Sequence, residues 1–310
     1  MTPRVVAIVG PTATGKTALG VALAQRFNGE VISCDSTAVY RGLDIGTDKP
    51  TLEERQGVPH HLIDVVAPTE TYSAARYAQD AAAAARDITA RGRLPILVGG
   101  TGFYYRALVR GLFPGPAGDA ALRARIDRIA ERRGVEYLHR WLSRIDPDSA
   151  LRIQPRDRKR LQRALEVYVL TGKPLTAHFA ETRSPLAGWS VLTLGLRDPR
   201  QDLETRVAHR VDAQFRRGVV QEVEALIASG VPETAHAFTG LVYRQVMDLR
   251  RGIRNEADTR ALIVRENMRY ARRQVMWFRA EPDVVWHDGV GTDPETVAWA
   301  AAHLERPAVP

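Results

Sequence analysis

A glycine-rich segment near the start of the chain constrains the fold more than any other feature. Residues 10–17 read Gly-Pro-Thr-Ala-Thr-Gly-Lys-Thr; they follow the apolar run 5–9 and precede a helical pattern. This is the P-loop pattern, in which a strand leads through a glycine-rich turn into a helix and the backbone N–H groups of the turn converge on a phosphate. We therefore predict a phosphate-binding turn at the end of the first strand.

Two side chains of this turn are suited to act on phosphate. Lys16 would reach the terminal phosphate oxygens, and the Thr17 hydroxyl would be the metal ligand that holds a Mg²⁺ cofactor bridging them. The pattern alone leaves open whether the phosphates belong to ATP, GTP or another diphosphate. The predicted diphosphate-binding residues of the turn are Gly10, Thr12, Ala13, Thr14, Gly15, Lys16 and Thr17.

Strand-like and helical stretches alternate along the chain. The strand-like stretches are 5–9, 31–34, 94–98, 191–196 and, more weakly, 284–286, and clear helical patterns cover 17–27 and 77–90. Such alternation favours a parallel sheet with helices on both faces, in which ligands gather at the C-terminal ends of the strands. We predict an α/β fold with a P-loop parallel-sheet core.

A cluster of prolines and glycines at residues 114–118 interrupts this alternation. The pattern beyond it is helical as far as a second stop signal at residues 171–174, and the next convincing strand begins near Trp189. We predict that residues 115–185 form an inserted all-helical subdomain. Residues 1–114 and 186–310 would form the core.

Positive charge is concentrated in the predicted insertion. The chain has a net charge of +8, and residues 119–165 contain thirteen Lys or Arg against seven Asp or Glu. One side of a predicted helix here contains Arg156, Lys159 or Arg160, and Arg163. An apolar side contains Leu161, Leu165 and Val169. A basic face can be simply solvated, but beside a phosphate-binding core it indicates contact with a nucleic-acid backbone.

Two further polar turns follow predicted strands. A carboxylate at Asp35 could hold Mg²⁺ through water or accept a proton from a nucleophile, although it could equally be a turn aspartate. Thr101 lies in a turn whose glycines would let a ligand approach the backbone, or would serve only a tight turn. The strand 94–98 ends in Gly-Gly rather than in a metal-binding aspartate, which disfavours a motor or switch NTPase.

Other features exclude several classes of protein. The single cysteine, Cys34, permits no internal disulfide and no cysteine-based zinc site. No apolar run approaches the roughly 20 residues that cross a bilayer, and the first residues lead directly into a strand. We expect a cytoplasmic monomer that does not bind membranes. We do not expect His60 and His61 to bind one metal ion, because adjacent side chains in an extended chain point in opposite directions.

Taken together, several motifs resemble those of bacterial tRNA dimethylallyltransferases. The motifs are residues 10–17, Asp35-Ser36, 40–50, 59–62, 97–102, 160–167 and Tyr243-Arg244-Gln245. The resemblance extends from about residue 5 to residue 287. It departs from the family at Val242, where a glycine is usual.

The resemblance implies transfer of a dimethylallyl group from dimethylallyl diphosphate to N6 of adenosine 37 in tRNAs that read codons beginning with U, with release of diphosphate. It implies that the P-loop holds the diphosphate of this donor rather than ATP, with Arg206 and Arg210 as further diphosphate ligands. It makes Asp35 the base and places Thr101 at the reacting centre. The insertion would hold the anticodon stem-loop. The residues implied to contact tRNA are Asp35, Ser36, Thr37, Ala38, Thr101, Arg123, Lys159, Arg160, Leu161, Gln162, Arg163, Tyr243 and Arg244.

Three other functions remain open from the sequence. A small-molecule or nucleotide kinase would share the P-loop and a helical lid, but it would not require the basic insertion. A prenyltransferase acting on free adenylate would share the donor chemistry. A non-catalytic RNA-binding protein would not require a complete P-loop. The acceptor distinguishes these functions: tRNA, a nucleotide or another small molecule, or none.

Overall fold

A parallel sheet forms the centre of the fold in the computed structural model, which describes residues 2–198 and 202–306. The described residues form six strands: β1 (Arg4–Val9), β2 (Gly29–Ser33), β3 (His60–His61), β4 (Leu94–Val98), β5 (Ser190–Arg197) and β6 (Val284–Asp288). Their order across the sheet is β3-β2-β4-β1-β5-β6, and every pairing is parallel. The predicted α/β fold is therefore confirmed.

Helices occupy the connections between the strands. Those from the first half of the core are α1 (Lys16–Arg26), α2 (Leu52–Arg55), α3 (Ala74–Ala90) and α4 (Gly102–Val109). Those between β4 and β5 that follow α4 are α5 (Ala120–Arg133), α6 (Val135–Ile145), α7 (Pro147–Arg152), α8 (Arg158–Thr171) and α9 (Leu175–Phe179). The last group is α10 (Leu203–Arg216), α11 (Val219–Ala228), α12 (Leu241–Arg250), α13 (Glu256–Arg279) and α14 (Pro294–Glu305). No helix within the described residues is long and apolar enough to cross a membrane.

Alternating side chains on the central strands bury both faces of the sheet. Ile8 of β1 and Leu194 of β5 are fully buried in one apolar cluster with Leu19 of α1. The neighbouring Thr193 faces the other side, where its hydroxyl is 2.8 Å from the Tyr105 hydroxyl of α4. Helices thus cover both faces, as the alternating pattern predicts.

The short edge strand β3 was not predicted from the sequence. Its His60 and His61 pair with Val31 and Ile32 of β2. Two residues are too few to give a recognisable alternation of apolar and polar positions. The pairing places the chain that follows β3 at the same end of the sheet as Asp35.

Residues Arg110–Ser184 form a compact unit of their own, separate from the core residues on either side. The predicted insertion, 115–185, begins five residues later. The apolar centre of this unit includes Leu161 and Leu165, which are fully buried. Val169, predicted to lie on the same apolar side, has 47% of its surface exposed. Of the residues assigned to the core by sequence, 1, 199–201 and 307–310 lie outside the described residues.

We expect Gly10→Ala to lower the melting temperature by about 5–10 °C, because two costs coincide there. Gly10 has φ +139°, and an added Cβ would lie 2.3 Å from the backbone oxygen of Leu196. Backbone strain and overpacking each cost about 1–3 kcal/mol. Gly92→Ala is the matched control, since Gly92 has φ +71° and no described atom lies within 4 Å of its added Cβ. Thermal denaturation measures both melting temperatures. Equal decreases for the two variants would contradict a cost from the contact between the added Cβ and the Leu196 backbone oxygen.

Candidate functional site

A cavity of about 600 Å³ opens at the C-terminal end of the sheet. Its size lies in the range of small-molecule sites. The turns that follow β1, β2 and β4 all contribute to its wall, together with residues from α10 and α13. The sequence-predicted residues that line it are Thr12, Ala13, Gly15, Lys16, Thr17, Asp35, Ser36, Thr37, Ala38, Arg210 and Tyr243.

The turn after β1 has the backbone shape of an anion site. Ala13 and Gly15 have φ +61° and +75°, and α1 begins directly afterwards at Lys16. Within the described chain, no side chain caps the N-terminus of α1 at Gly15. The first N–H groups of α1 and the positive end of its dipole are therefore available to phosphate oxygens. Gly10 and Thr14 shape the turn from outside the cavity wall: Gly10 packs against β5, and the Thr14 hydroxyl donates to the Pro11 carbonyl at 2.9 Å.

Lys16 lies at the positive centre of this site. Its ammonium group donates to the Pro11 carbonyl. The pKa of Lys16 is lowered to about 7, chiefly by burial and also by the nearby Arg210, while Asp35 partly opposes the shift. A phosphate ligand would raise the pKa again, because an anion favours the charged form of the amine.

We expect the affinity for inorganic diphosphate to fall as the pH rises above about 7. The ligand-free Lys16 loses its proton there, whereas diphosphate binds the protonated form, so the dissociation constant should rise by up to tenfold per pH unit. Calorimetric titration between pH 6 and 9 measures this directly. Lys16→Arg, which keeps its charge throughout, should show a flatter profile. The same rise in both proteins would assign the pH dependence to another group.

The structure distinguishes Arg206 from Arg210, both of which the resemblance implies as diphosphate ligands. Arg210 lines the cavity and donates to the Thr12 hydroxyl and to Asp48. Arg206 instead donates to the Ala13 carbonyl at 3.2 Å and forms ion pairs with Asp198 and Asp202. Arg206 is not among the described residues that line the cavity. Arg210 is therefore placed to bind a ligand, whereas Arg206 supports the turn from behind.

Asp35 begins the turn after β2 and uses only one of its two oxygens within the described chain. Oδ1 accepts hydrogen bonds from the Thr37 N–H at 2.7 Å, the Thr37 hydroxyl at 2.6 Å and the Ala38 N–H at 3.2 Å. Asp35 is thus a turn aspartate, the alternative that the sequence left open. Oδ1 accepts all three of these hydrogen bonds. Oδ2 is therefore available to accept a proton from a ligand in the cavity.

Thr101 connects the turn after β4 to the turn after β2. Its hydroxyl accepts from the Ser36 N–H at 3.2 Å, and its own N–H donates to the Cys34 carbonyl at 3.2 Å. An added Cβ at Gly99 would lie 2.2 Å from the same Cys34 carbonyl oxygen. The glycines at this position thus permit close packing of the two turns. Thr101 is half-buried and supports the backbone of Ser36, next to Asp35.

Gln274 of α13 was missed by the sequence analysis. Its amide oxygen accepts from the Thr12 N–H at 2.9 Å, and its amide nitrogen donates to the Gly100 carbonyl at 2.9 Å. One buried side chain therefore connects the phosphate-binding turn to the turn that carries Thr101. Asn267 and Tyr270 line the cavity from the same helix, and burial raises the pKa of Tyr270 to about 12. The spacing of these three residues, i, i+3 and i+7, is the signal that could have identified them.

Tyr243, implied by the resemblance to contact tRNA, is 1% exposed. Its hydroxyl donates to Glu222 at 2.6 Å and accepts from the Gly46 N–H at 3.1 Å. Glu222 also accepts the N–H groups of residues 44 and 45, so the pair fixes residues 44–46 against the core. The side chain of Tyr243 therefore holds one wall of the cavity, and its contact with RNA stays a prediction. The neighbouring Arg244 remains 55% exposed.

The segment 159–163, which the resemblance implies to contact RNA, contains both exposed and buried side chains. Lys159 and Arg160 are exposed at the start of α8. Leu161 is fully buried in the apolar centre of the helical unit. The apolar periodicity, which places Leu161 on the buried side of the helix, is confirmed, and contact between residue 161 and RNA stays a prediction. Gln162 donates to the Arg123 carbonyl at 3.2 Å.

Comparison with known proteins identifies the family. The family model described as IPP transferase matches residues 38–281. The chain belongs to the IPP transferase family. Among curated proteins, the tRNA dimethylallyltransferase of Koribacter versatilis is 45% identical over 298 residues, which are 96% of this chain and 97% of that protein. The enzyme of the same name from Thermomicrobium roseum is 48% identical over 286 residues, 92% of this chain and 86% of that protein.

Solved structures of the IPP transferase family share the fold of this chain. The tRNA isopentenylpyrophosphate transferase of Bacillus halodurans is 38% identical, with a TM-score of 0.71 and coverage of 98% of this chain and 97% of that one. A eukaryotic dimethylallyltransferase, whose structure is described as acting on tRNA, is 29% identical. Its TM-score is 0.79, and the match covers 99% of this chain and 81% of that one.

The donor set of the cavity suits a Mg²⁺ ion that shares its ligands with phosphate. Thr17 lies on the cavity wall and offers one hydroxyl oxygen. No group of three or more His, Cys, Asp or Glu residues that could hold a metal occurs among the described residues. Mg²⁺ is usually held by few protein ligands together with substrate phosphates and water. The residues present therefore fit an ion that arrives with a diphosphate.

Proposed function

We propose that this chain transfers a dimethylallyl group from dimethylallyl diphosphate to N6 of adenosine 37 in tRNAs that read codons beginning with U. One observation carries the proposal: the phosphate-binding turn and the available oxygen of Asp35 lie in the same cavity. A diphosphate leaving group and an acceptor that must lose a proton can therefore be held side by side. Membership of the IPP transferase family supports this chemistry over that of a kinase.

In the proposed reaction, the N6 lone pair of adenine forms a bond to C1 of the dimethylallyl group. The bond between C1 and the diphosphate oxygen breaks, and its electron pair leaves with the diphosphate. N6 then gives one proton to Asp35 Oδ2. Thr37 and Ala38 hold the other carboxylate oxygen, so the base keeps its orientation as the proton moves.

Negative charge develops on the diphosphate as the bond breaks. Lys16 and Arg210 line the same cavity as the start of α1, so their positive charges and the first N–H groups of α1 would act on that charge. Such preorganised donors stabilise the transition state without having to reorganise. Mg²⁺, held by Thr17 and the phosphate oxygens, would neutralise further charge on the leaving group.

The tRNA must present an unpaired base to this cavity. Turning adenosine 37 out of its stack costs a few kcal/mol, which contacts to the RNA backbone can offset. The exposed Lys159 and Arg160 of the helical unit are suited to make such contacts.

The test is transfer of label from radioactive dimethylallyl diphosphate, with Mg²⁺, to an unmodified anticodon stem-loop that has adenosines at positions 36 and 37. The matched control RNA has guanosine at position 37, which carries an oxygen in place of the N6 amine. Free AMP is tested in parallel. Label in the first RNA and not in the second would support the proposal.

Other outcomes would replace the proposal by a specific alternative. Label in AMP and not in RNA would indicate the adenylate-prenylating class. Consumption of ATP with some small acceptor, and no transfer of label, would indicate a kinase. Binding of the stem-loop without any transfer would indicate a non-catalytic RNA-binding protein.

A further inference from the structure

A buried carboxylate lies beneath the basic surface of the helical unit. The side chain of Glu166, on α8, is fully buried. Its Oε1 accepts from the Asp119 N–H at 2.8 Å and from Arg123 Nε at 2.8 Å. Its Oε2 accepts from Arg123 Nη2 at 3.0 Å and from Arg163 Nη1 at 2.6 Å. Two arginines from different helices thus share one carboxylate.

Glu166 is ionised in this setting. Burial acts to raise its pKa, but the hydrogen bonds from Arg123 and Arg163 outweigh that effect and the pKa is lowered. A buried ion pair of this kind is weak evidence for stability, since an apolar replacement of similar volume often leaves stability unchanged or improved. The arrangement therefore calls for an explanation other than stability.

Both arginine side chains remain partly exposed. Arg123 has 45% of its side chain exposed and Arg163 has 33%. Arg163 Nη2 also donates to the Pro116 carbonyl at 2.9 Å, which fixes the plane of its guanidinium group. A guanidinium group has five N–H donors, so each arginine retains donors after its contacts with Glu166.

We propose that Glu166 is a positioning residue for RNA binding: it holds Arg123 and Arg163 at a fixed spacing so that their remaining donors bind two phosphates of the tRNA. The proposal rests on the proposed function, because it takes tRNA as the partner. A pair of oriented guanidinium groups binds with less loss of side-chain freedom than two mobile ones.

Two other arginines of this unit, Arg156 and Arg158, differ in this respect. Arg156 pairs with Glu136, and the two side chains are 88% and 45% exposed. Arg158 pairs with Asp127, at 40% and 36% exposed. Exposed ion pairs of this kind hold their side chains weakly. The two arginines that Glu166 binds are thus held on a buried anchor that these pairs do not have.

Whether Glu166→Gln weakens or tightens RNA binding distinguishes a positioning role from a role that depends only on charge. If Glu166 only neutralised the basic surface, its removal would raise the net charge by one and tighten RNA binding. If it positions the two arginines, the dissociation constant for the anticodon stem-loop should rise about tenfold. The slope of log Kd against the logarithm of the salt concentration should fall by about one to two, because phosphate contacts are lost. Fluorescence anisotropy at several salt concentrations measures both quantities.

Two further variants keep the test independent of folding. Glu166→Asp preserves the charge but shortens the side chain, and we expect it to weaken RNA binding as well. Asp146→Asn is the matched control, because Asp146 is a buried carboxylate of the same unit that binds Ser149 and Thr176 rather than an arginine. Even if Asp146→Asn lowers the melting temperature as much as Glu166→Gln does, it should leave RNA affinity within about twofold of the wild type.

A double-mutant cycle completes the test. In a protein that already carries Arg123→Gln and Arg163→Gln, adding Glu166→Gln should change RNA affinity little. Unchanged or tighter binding by Glu166→Gln alone, or effects that add fully in the cycle, would overturn the proposal. The RNA-binding assay contains no prenyl donor, so its result is separate from transfer. If the wild type binds the stem-loop without transferring label, the proposed reaction fails while the role of Glu166 is still decided.

Discussion

Asp35→Asn is expected to lower kcat for prenyl transfer by about 10²- to 10⁴-fold, the usual contribution of a general base. Asparagine is nearly isosteric with aspartate, and its carbonyl oxygen can still accept from Thr37 and Ala38. The amide that replaces Oδ2 cannot take the proton from N6. The KM values for donor and stem-loop should therefore stay within a few-fold of the wild type.

Single-turnover kinetics with saturating donor and RNA isolates this chemical step. Thr37→Val is the companion variant, because it removes one donor to Asp35 Oδ1 and leaves the carboxylate in place. We expect a loss of about tenfold, the low end for a hydrogen bond to a charged group, because the N–H groups of Thr37 and Ala38 still hold the carboxylate. If Asp35→Asn changed KM for RNA and left the single-turnover rate intact, Asp35 would be a binding residue rather than the base.

Lys16→Met should reduce kcat/KM for dimethylallyl diphosphate by about 10²- to 10³-fold, since it removes a preorganised donor to the leaving group. Most of the loss should lie in kcat, because charge on the diphosphate grows as the bond to C1 breaks. Steady-state kinetics with varied donor concentration separates the two constants. A change confined to KM would contradict a role in the transition state.

The same substitution should have an unusual effect on stability. In the unfolded chain Lys16 keeps its ordinary pKa of about 10.5, whereas in the ligand-free fold its pKa is about 7. The folded state therefore loses stability to this group below about pH 7, and the loss diminishes as the pH rises towards 10.5. We expect Lys16→Met to melt at a higher temperature than the wild type at pH 6 and to lose about half of that advantage by pH 9, since the rest disappears only near pH 10.5.

Lys49→Met provides the contrast. Lys49 is buried, and its ammonium group donates to the Tyr40 carbonyl and to the carboxylates of Asp44 and Asp64. Its removal leaves three acceptors without this donor and should lower the melting temperature at every pH. The two lysines of this cavity thus have opposite effects on stability. Lys16 destabilises the ligand-free fold, whereas Lys49 stabilises it by binding Tyr40, Asp44 and Asp64.

The sequence was a good guide wherever local chemistry determines structure. The phosphate-binding turn has a fixed spacing, a preceding strand and a following helix, and the structure places it at the C-terminal end of β1. The longer strands were identified because they are short stretches rich in apolar and β-branched residues that lie between turns and helical patterns. The two-residue strand β3 was missed because its strand conformation depends on pairing with β2 rather than on its own residues.

Roles that depend on distant contacts could not be predicted. Gln274 is 262 residues from Thr12 in sequence and 2.9 Å from it in space. Tyr243 looked like a binding residue because it lies in a recognisable motif, but its partners, Glu222 and Gly46, come from other segments. The side chain of Leu161 is buried in the helical unit, although its motif implies contact with RNA. A motif marks a segment as important without stating which of its side chains face the ligand.

The order of the strands also bears on how the protein is made. The central strand β1 pairs with β4 on one side and with β5 on the other. About 180 residues separate β1 from β5, which at synthesis rates of roughly 5–20 residues per second is a delay of about 10–40 s. The helical unit, Arg110–Ser184, is continuous in sequence and leaves the ribosome within that interval. During synthesis, therefore, the unit that carries Glu166 can be complete while the phosphate-binding turn still borders an open sheet edge.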